Sequence, residues 1–579
     1  MRERPTPGRR IMPSRRAALL ATASLVLTNG AGAQTAGTPA DRVFGESVEV
    51  RVVNVDVIVT DRDGQPVLGL ERGDFQVFED GKAQEITNFY RVEGVRVRAE
   101  GEDGWEVIAP DSSFRRRILL LIDNNFIETP ERNRAVAALE SYLDQKFDGS
   151  YEWGVVSVGD EVRVLEPFTS DKLRVRAALD RVKATPTFGV RYRIDRHFLN
   201  DPVRVRRAQR NEAAVRGEFG AGSSIDPNEE YLAALRFESK FNIASTLEAF
   251  QRTSTAMVQA FRAYSGLPGN KVLIWITGGV PMLPEYAFQG DSTSVGGRSD
   301  KDRELHEYQR ELQELVATVA WEANAAQFKV YPVKATGLRP EMPQNDPGYR
   351  SSGATFSDAA FSAQAEVDDS DSAQLSLALG TGGLYLTSNR TLDSFETADQ
   401  DSAAYYSLGY RPQRPEDGAL HEIRVEVAKP GLIARSRTGY VDLGREKKLE
   451  MTLAAPLPFP REKGTLPVRV TVARPTGGDV VATVELPNTH LTFVPEGDFF
   501  VGRIKIYLTI HDAEGHLVDL VREQRDLRFP AAQRADVLAG KFRYGLKFHL
   551  DKAGSYVVSV TLRDEATDEI GTGFSNVEI

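Results

Sequence analysis

The chain has 579 residues, with 72 Lys and Arg against 83 Asp and Glu, a formal net charge of -11 and no cysteine. At roughly 100 to 200 residues per domain, that length calls for three or four folding units. The acidic balance argues against a general nucleic-acid surface. The missing cysteines exclude disulfides, thiolate chemistry, a lipidated cysteine and a Cys-ligated metal.

Arg9, Arg10, Arg15 and Arg16 precede an apolar stretch from Ala17 to Leu27 and then the small residues before Gln34. This is the pattern of a secretory signal peptide, residues 1–33, cleaved after Ala33. Its apolar core is about half of the ~20 residues needed to span a bilayer, and no later segment is apolar enough to span. The mature chain is therefore expected in the periplasm or outside the cell, without a transmembrane segment. Residues 34–45 read as a linker.

Residues 46–94 read as a small β module. Val53, Val55, Val57 and Val59 alternate on one strand face, and Asp80-Gly81 marks a hairpin turn between Phe75–Glu79 and Gln84–Val92. Over 114–440 strands alternate with helices. Strand Arg117–Ile122 precedes helix Arg132–Phe147, whose Val136, Leu139, Leu143 and Phe147 form one stripe. Strand Trp153–Val158, an antiparallel neighbour Val162–Leu165 and helix Asp171–Val182 follow. Then come helix Phe241–Tyr264, strand Lys271–Ile276, a helix from near Leu305 to Phe328, strand Lys329–Val333, short helix Leu375–Leu379, helix Phe395–Ala403 and strand Tyr405–Tyr410. Apolar, unalternating strands separated by helices imply a doubly wound, mostly parallel α/β sheet. Insertions near 185–232, 281–304 and 337–371 interrupt it; the last is rich in Ser, Gly and acidic residues, and a loop of that length is either mobile or a binding lid. Residues 446–579 return to strands, at Leu466–Ala473, Val480–Leu486, Arg503–His511, Phe542–Leu550 and Ser555–Arg563. They predict an immunoglobulin-like β-sandwich.

Asp123 closes the apolar run Ile118–Ile122 where a buried parallel strand should end. In an open α/β sheet, ligands bind at that edge, so the expected interaction surface is Asn124, Phe126, Phe188, Thr277 and Gly278. Phe126 is the side chain expected to meet a partner, with Trp275 packed inside the sheet. No catalytic constellation accompanies it. The seven histidines show no zinc spacing, and Val156-Ser157-Val158 lacks a nucleophile elbow. Gly278-Gly279 and Gly380-Thr381-Gly382-Gly383 lack the Lys-Ser/Thr ending of a phosphate loop.

Val53-Asn54-Val55-Asp56-Val57, Gly69 to Phe75, Phe78 to Gly81, Tyr405 to Tyr410, His421 to Val425, Pro430-Gly431-Leu432 and Arg435 to Tyr440 occur in an order that resembles the von Willebrand factor A-related family of secreted acidobacterial proteins. The resemblance covers residues 46–440 and implies a doubly wound A-type fold whose relatives bind protein ligands, often through a divalent cation. It also implies a metal-ion-dependent adhesion site: an Asp, two hydroxyls at alternate positions, a Thr from a second loop and a later Asp, all hard oxygen ligands. Asp123 matches the first position and Asn125 stands where the first hydroxyl would be, while Ile127 has no ligand atom and Gly278 stands where the later Asp would be. Thr187 or Thr246 could supply the second-loop hydroxyl, and Glu128 could approach from the same loop. The site is thus expected to be vestigial (Asp123, Asn125, Thr187), with no cofactor and only a weak prospect of Mg²⁺ or Ca²⁺. The sequence reading is a non-enzymatic, exported, metal-independent protein-interaction or adhesion module of the envelope. The alternative is a hydrolase with a site assembled across domains, or cation-dependent binding around Asp123.

Overall fold

The computed structural model describes residues 51–101, 104–108, 114–188, 227–280, 298–336, 371–456, 464–475 and 479–579. The expected signal peptide and linker, and most of the three expected insertions, lie outside the described residues. Two compact units emerge, Glu46–Thr452 and, among the described residues, Leu453–Ile579.

The first unit begins with strands β1 (Val53–Thr60), β2 (Phe75–Glu79), β3 (Lys82–Gln84), β4 (Ile86–Glu93), β5 (Arg96–Ala99) and β6 (Glu106–Val107). An alternating helix-strand region follows: β7 (Arg116–Asp123), α1 (Thr129–Lys146), β8 (Glu152–Val158), β9 (Val162–Thr169), α2 (Lys172–Lys183), α3 (Pro227–Ala263), β10 (Asn270–Thr277), α4 (Arg298–Ala325) and β11 (Phe328–Lys334). Helix α5 (371–381) leads to β12 (Leu386–Thr387), α6 (Thr391–Ala403), β13 (Ala404–Tyr410), β14 (Leu420–Val427), β15 (Ile433–Arg435) and β16 (Gly439–Val441).

Six strands form a mixed sheet in the order β12-β11-β10-β7-β8-β9. Every neighbouring pair is parallel except β8 with β9. All eight residues of β7 and all eight of β10 are buried, as a strand covered on both faces requires. Ile118, Leu120 and Ile122 share a core with Val136, Leu139 and Leu143 of α1, Leu179 of α2 and Phe395 of α6. The intervening Leu119 and Leu121 are buried on the opposite face. Each such side chain contributes about 1.5–3 kcal/mol relative to exposure, so the sheet's two covered faces dominate the stability of this region. Helix α1 starts three residues earlier than its apolar stripe suggests. Glu128 and Glu131 form a reciprocal capping box and Pro130 sits in the first turn, which fixes the helix start by cap chemistry.

The strands after residue 403 correct the expected partition, because β13 to β16 leave the parallel sheet and pair with the N-terminal strands. One sheet runs β15-β1-β13-β4-β5-β6 and another β16-β14-β2-β3. β13 lies antiparallel between β1 and β4, with Val53 opposite Tyr410 and Tyr406 opposite Arg91. Val53, Val55, Val57 and Val59 pack with Phe75, Val77, Tyr406, Leu408 and Tyr410, so the residues expected as a small separate module have a substantial core made with a distant stretch of chain. β13 is buried on both faces, and an unalternating apolar strand reads the same whether its neighbours are parallel or antiparallel.

The second unit has β17 (Arg469–Ala473), β18 (Asp479–Pro487), β19 (Val494–Glu496), β20 (Phe499–His511), β21 (Leu517–Pro530), β22 (Lys541–His549), β23 (Ser555–Asp564) and β24 (Ile570–Glu578). Sheet β17-β18-β22 and sheet β19-β20-β23-β24, the latter with β21 on β20, share one core that includes Val480, Val484, Ile504, Leu508, Leu546 and Val560.

Candidate functional site

β7 and β10 are parallel neighbours, with Ile122 opposite Ile276, so their C-terminal ends bring Asp123 and Thr277 together. Asp123 is fully buried. Its Oδ1 accepts from the Asn125 backbone N–H at 3.1 Å and the Thr253 hydroxyl at 3.0 Å. Its Oδ2 accepts from the Trp275 indole N–H at 3.2 Å and the Thr277 hydroxyl at 3.4 Å. Among the described residues no cationic side chain pairs with it. Burial pushes its pKa up to about 6, with the Thr253, Trp275, Asn125 and Thr277 hydrogen bonds holding it back from a larger rise.

Thr253, which no sequence motif marks, supplies one of these hydroxyls. It lies on α3 between Phe250 and Met257, both fully buried, so it is a polar residue on an apolar stripe at helical spacing. That position was the available signal. Asn125 donates its Nδ2 to Thr253 Oγ1 at 3.1 Å, and its Oδ1 is buried with no hydrogen-bond partner.

The loop after Asp123 folds inward over this group. Ile127 is fully buried and Phe126 nearly so. A Cβ on Gly278 would collide with the Phe126 carbonyl oxygen, so the volume that a later acid would need is filled by backbone. Glu128 caps α1, accepting from the backbone N–H three residues into the helix, and is thereby engaged away from Asp123. Thr187 pairs its hydroxyl with that of Thr129 at 2.7 Å; Thr246 bonds to neither Asp123 oxygen, the α3 hydroxyl there being that of Thr253. Thr187 is therefore corrected as a member of the vestigial set, while Asp123 and Asn125 do come together. In the geometry present the Thr253 and Thr277 hydroxyls, oxygens of the kind a hard cation takes, are turned to donate to the Asp123 carboxylate, and Asn125 Oδ1 is left without a hydrogen-bond partner.

The expected interaction surface is largely inside the fold. Asn124 is buried, donating to Ser157 Oγ at 2.8 Å and accepting from the buried Arg132 at 3.3 Å. Arg132 also donates to the Thr185 and Lys183 carbonyls at 2.6 and 2.9 Å, tying the end of α2 to this edge. Phe126 and Thr277 are buried as well, and Phe126 is corrected as the side chain offered to a partner. Phe188 and Gly278 are half-buried; Phe188 donates its backbone N–H to the Asn124 carbonyl at 2.7 Å. Trp275 is fully buried inside the sheet, as expected, and in addition holds Asp123.

A second polar cluster lies where β2, β14 and β16 meet. The nearly buried His421 imidazole contacts Asp80 through Nδ1 at 2.8 Å and Asp417 through Nε2 at 3.1 Å. Glu79 and Asp442, both buried, stand close by. Arg414 donates to Glu79 at 2.8 Å and to Asp442 at 2.7 Å, and Arg51 pairs with Asp442 at 3.0 Å. Burial alone would lower the pKa of His421, but the bonds to Asp80 and Asp417 outweigh it and raise the value. The same bond from His421 lowers Asp80. The spacing of these carboxylates and the imidazole could hold a metal ion. In the geometry present, two guanidiniums and the His421 ring already engage these carboxylates.

No protein-family model matches the chain, and no curated protein does. Among solved structures, an aerotolerance-related membrane protein from Bacteroides fragilis is similar over 50% of this chain and 98% of its own, at 10% identity and a TM-score of 0.21. A β-glucuronidase from Bacteroides uniformis is similar over 31% of this chain and 20% of its own, at 9% identity and a TM-score of 0.14. A glycosyl hydrolase family 2 member from Bacteroides cellulosilyticus covers 31% and 21% at 11% identity, with a TM-score of 0.14. Likenesses at these scores carry no argument about activity. Among the described residues, no helix is long and apolar enough to cross a membrane.

Proposed function

We propose that this chain is an exported, non-enzymatic protein-interaction module of the cell envelope, built on a von Willebrand factor A-like sheet, that holds its partner without a bridging cation. The observation that carries this reading is the closed edge around Asp123. Four donors saturate the carboxylate, Phe126 backbone fills the space beside Gly278, and Ile127 is core. The strand order β12-β11-β10-β7-β8-β9, with a single antiparallel edge strand, supports the A-like assignment. The two sheets of the second unit sharing one core support the immunoglobulin-like reading of residues 446–579.

The test is capture of envelope proteins on the immobilised chain, run in parallel with Mg²⁺ and with a chelator. The expected result is the same partner, equally retained, in both. Retention that needs the cation would overturn the metal-independent reading. A hydrolytic activity abolished by Asp123→Ala would replace it with the enzyme alternative.

A further inference from the structure

At the β6 end of the sheet β15-β1-β13-β4-β5-β6, Arg91 on β4 stands directly opposite Arg98 on β5, and Arg96 lies two residues along β5 opposite Glu93. All three guanidiniums gather on one indole. Arg91, Arg98 and Arg96 lie 4.7, 5.2 and 5.5 Å from the centre of the Trp105 ring. Directly opposed like charges destabilise an antiparallel pair, and cation–π attraction of about 0.5–1 kcal/mol per exposed contact offsets only part of that.

The charge balance is uneven. Arg91 pairs with Glu93 at 3.0 Å and donates to the Leu68 carbonyl at 2.8 Å. Among the described residues the guanidiniums of Arg96 and Arg98 make neither an ion pair nor a hydrogen bond, although the chain carries an excess of acids. Arg96 is exposed and Arg98 and Trp105 are half-buried. Beside them Val107, on the terminal strand β6, is 77% exposed. Among the described residues, this region therefore presents two guanidiniums without an acidic partner next to an apolar side chain.

We propose that Arg96 and Arg98 dock an extended acidic peptide segment of a partner protein, with Asp or Glu at alternate positions. Both guanidiniums sit on one face of a strand two residues apart. An extended peptide repeats its same-side carboxylates at the same interval, roughly 6.5 Å, so one segment meets both arginines without bending. A guanidinium fork takes a carboxylate in two parallel hydrogen bonds, and Val107 offers contact to an apolar residue between the acids. A nucleic-acid strand fits less well, because it requires a free aromatic face for its bases and the Trp105 ring is already covered by arginines.

This inference rests on the protein-interaction reading and names the partner chemistry of that interaction. The probe is a fluorescein-labelled peptide of alternating Asp and Thr, titrated against the full chain at low salt and read by anisotropy. Saturable binding is expected, weakening as salt rises and falling about tenfold in each of Arg96→Glu and Arg98→Glu, which remove one carboxylate contact each. Unchanged melting temperatures in both variants would show that the fold is intact. No binding to the unaltered chain, equal binding to the double variant, or equally tight binding of an oligothymidine of matched charge would overturn the proposal. The envelope partner retained undiminished by Arg96→Glu/Arg98→Glu would sink this docking site alone. Loss of all partner capture by the unaltered chain would instead sink the interaction reading beneath it.

Discussion

The parallel-sheet edge and the His421 cluster solve the same problem with opposite chemistry. At the edge, one fully buried carboxylate is surrounded by neutral donors from Asn125, Thr253, Trp275 and Thr277. Where β2, β14 and β16 meet, several carboxylates are balanced by Arg51, Arg414 and the His421 ring. Neutral donors leave the Asp123 pKa raised by burial, whereas the bonds between His421 and its carboxylates raise the His421 pKa and lower that of Asp80. The first arrangement is sensitive to shape and the second to pH near neutrality.

The largest effect is expected from adding a second acid to the edge that holds Asp123. Gly278→Asp would drive a Cβ into the Phe126 carbonyl and set a second acid beside Asp123. The expected loss exceeds about 4 kcal/mol, the range of unpaired buried charges and overpacking combined. Thermal unfolding would show it, and a folded variant stabilised by Mg²⁺ would mean that the edge can reopen into a cation site.

Asp123→Ala comes next. It leaves the Trp275 N–H, the Asn125 N–H and two hydroxyls without their acceptor, at a cost of about 2–4 kcal/mol in urea unfolding. The pH dependence separates its charge from its shape. The folded pKa lies above that of an unfolded aspartate, so the folded chain binds the proton more tightly and stability falls as pH rises from 3.8 to about 6. A shift of that size corresponds to on the order of 3 kcal/mol. Asp123→Asn should flatten that slope, and an unchanged slope would place the responsible group elsewhere.

A smaller loss is expected from Thr253→Val. It removes one donor from Asp123 and the acceptor of Asn125 Nδ2, with an expected loss of about 1–2 kcal/mol. The pH-dependent fall in stability should extend upward, because the carboxylate has lost a group that favours its ionised form.

The smallest effect is expected at His421. Its raised pKa means that its contribution is fully present below 6.5 and is lost as pH rises through the folded value. The groups facing it are Asp80, Asp417, Glu79, Arg414 and the Tyr440 ring. His421→Gln should remove the dependence above pH 6.5 while leaving the window below 6 intact, and melting curves across pH read both at once. Loss of both windows together would show that the two clusters are coupled.

The strands of the mixed sheet were legible because fully buried strands are continuous apolar runs bounded by turns. Asp123 was legible because it breaks such a run at its end. Three features resisted, each for a physical reason. β21 was hidden because Glu523 and Arg525 interrupt its alternation, and these bond with Tyr544. Inward-turned charges of this kind are a common device for protecting an edge strand. β24 was hidden by Gly571 and Gly573, where a side chain would collide with the Leu466 and Val468 carbonyls, so what looks like turn composition is close strand packing. The inward fold of Phe126 and Ile127 was hidden because a loop's apolar residues carry no period, and it shows in the burial of both side chains and in the Phe126 backbone lying against Gly278.

Whether the Asp123 edge is a closed network of neutral donors or a cation site is decided by calorimetric titration of the metal-stripped chain with Mg²⁺, Mn²⁺ and Ca²⁺, repeated on Asp123→Ala. No binding heat and no change in melting temperature are expected from either protein. Saturable binding to the unaltered chain that disappears in Asp123→Ala would contradict the account and make cation-bridged capture of a partner's carboxylate the mechanism to pursue.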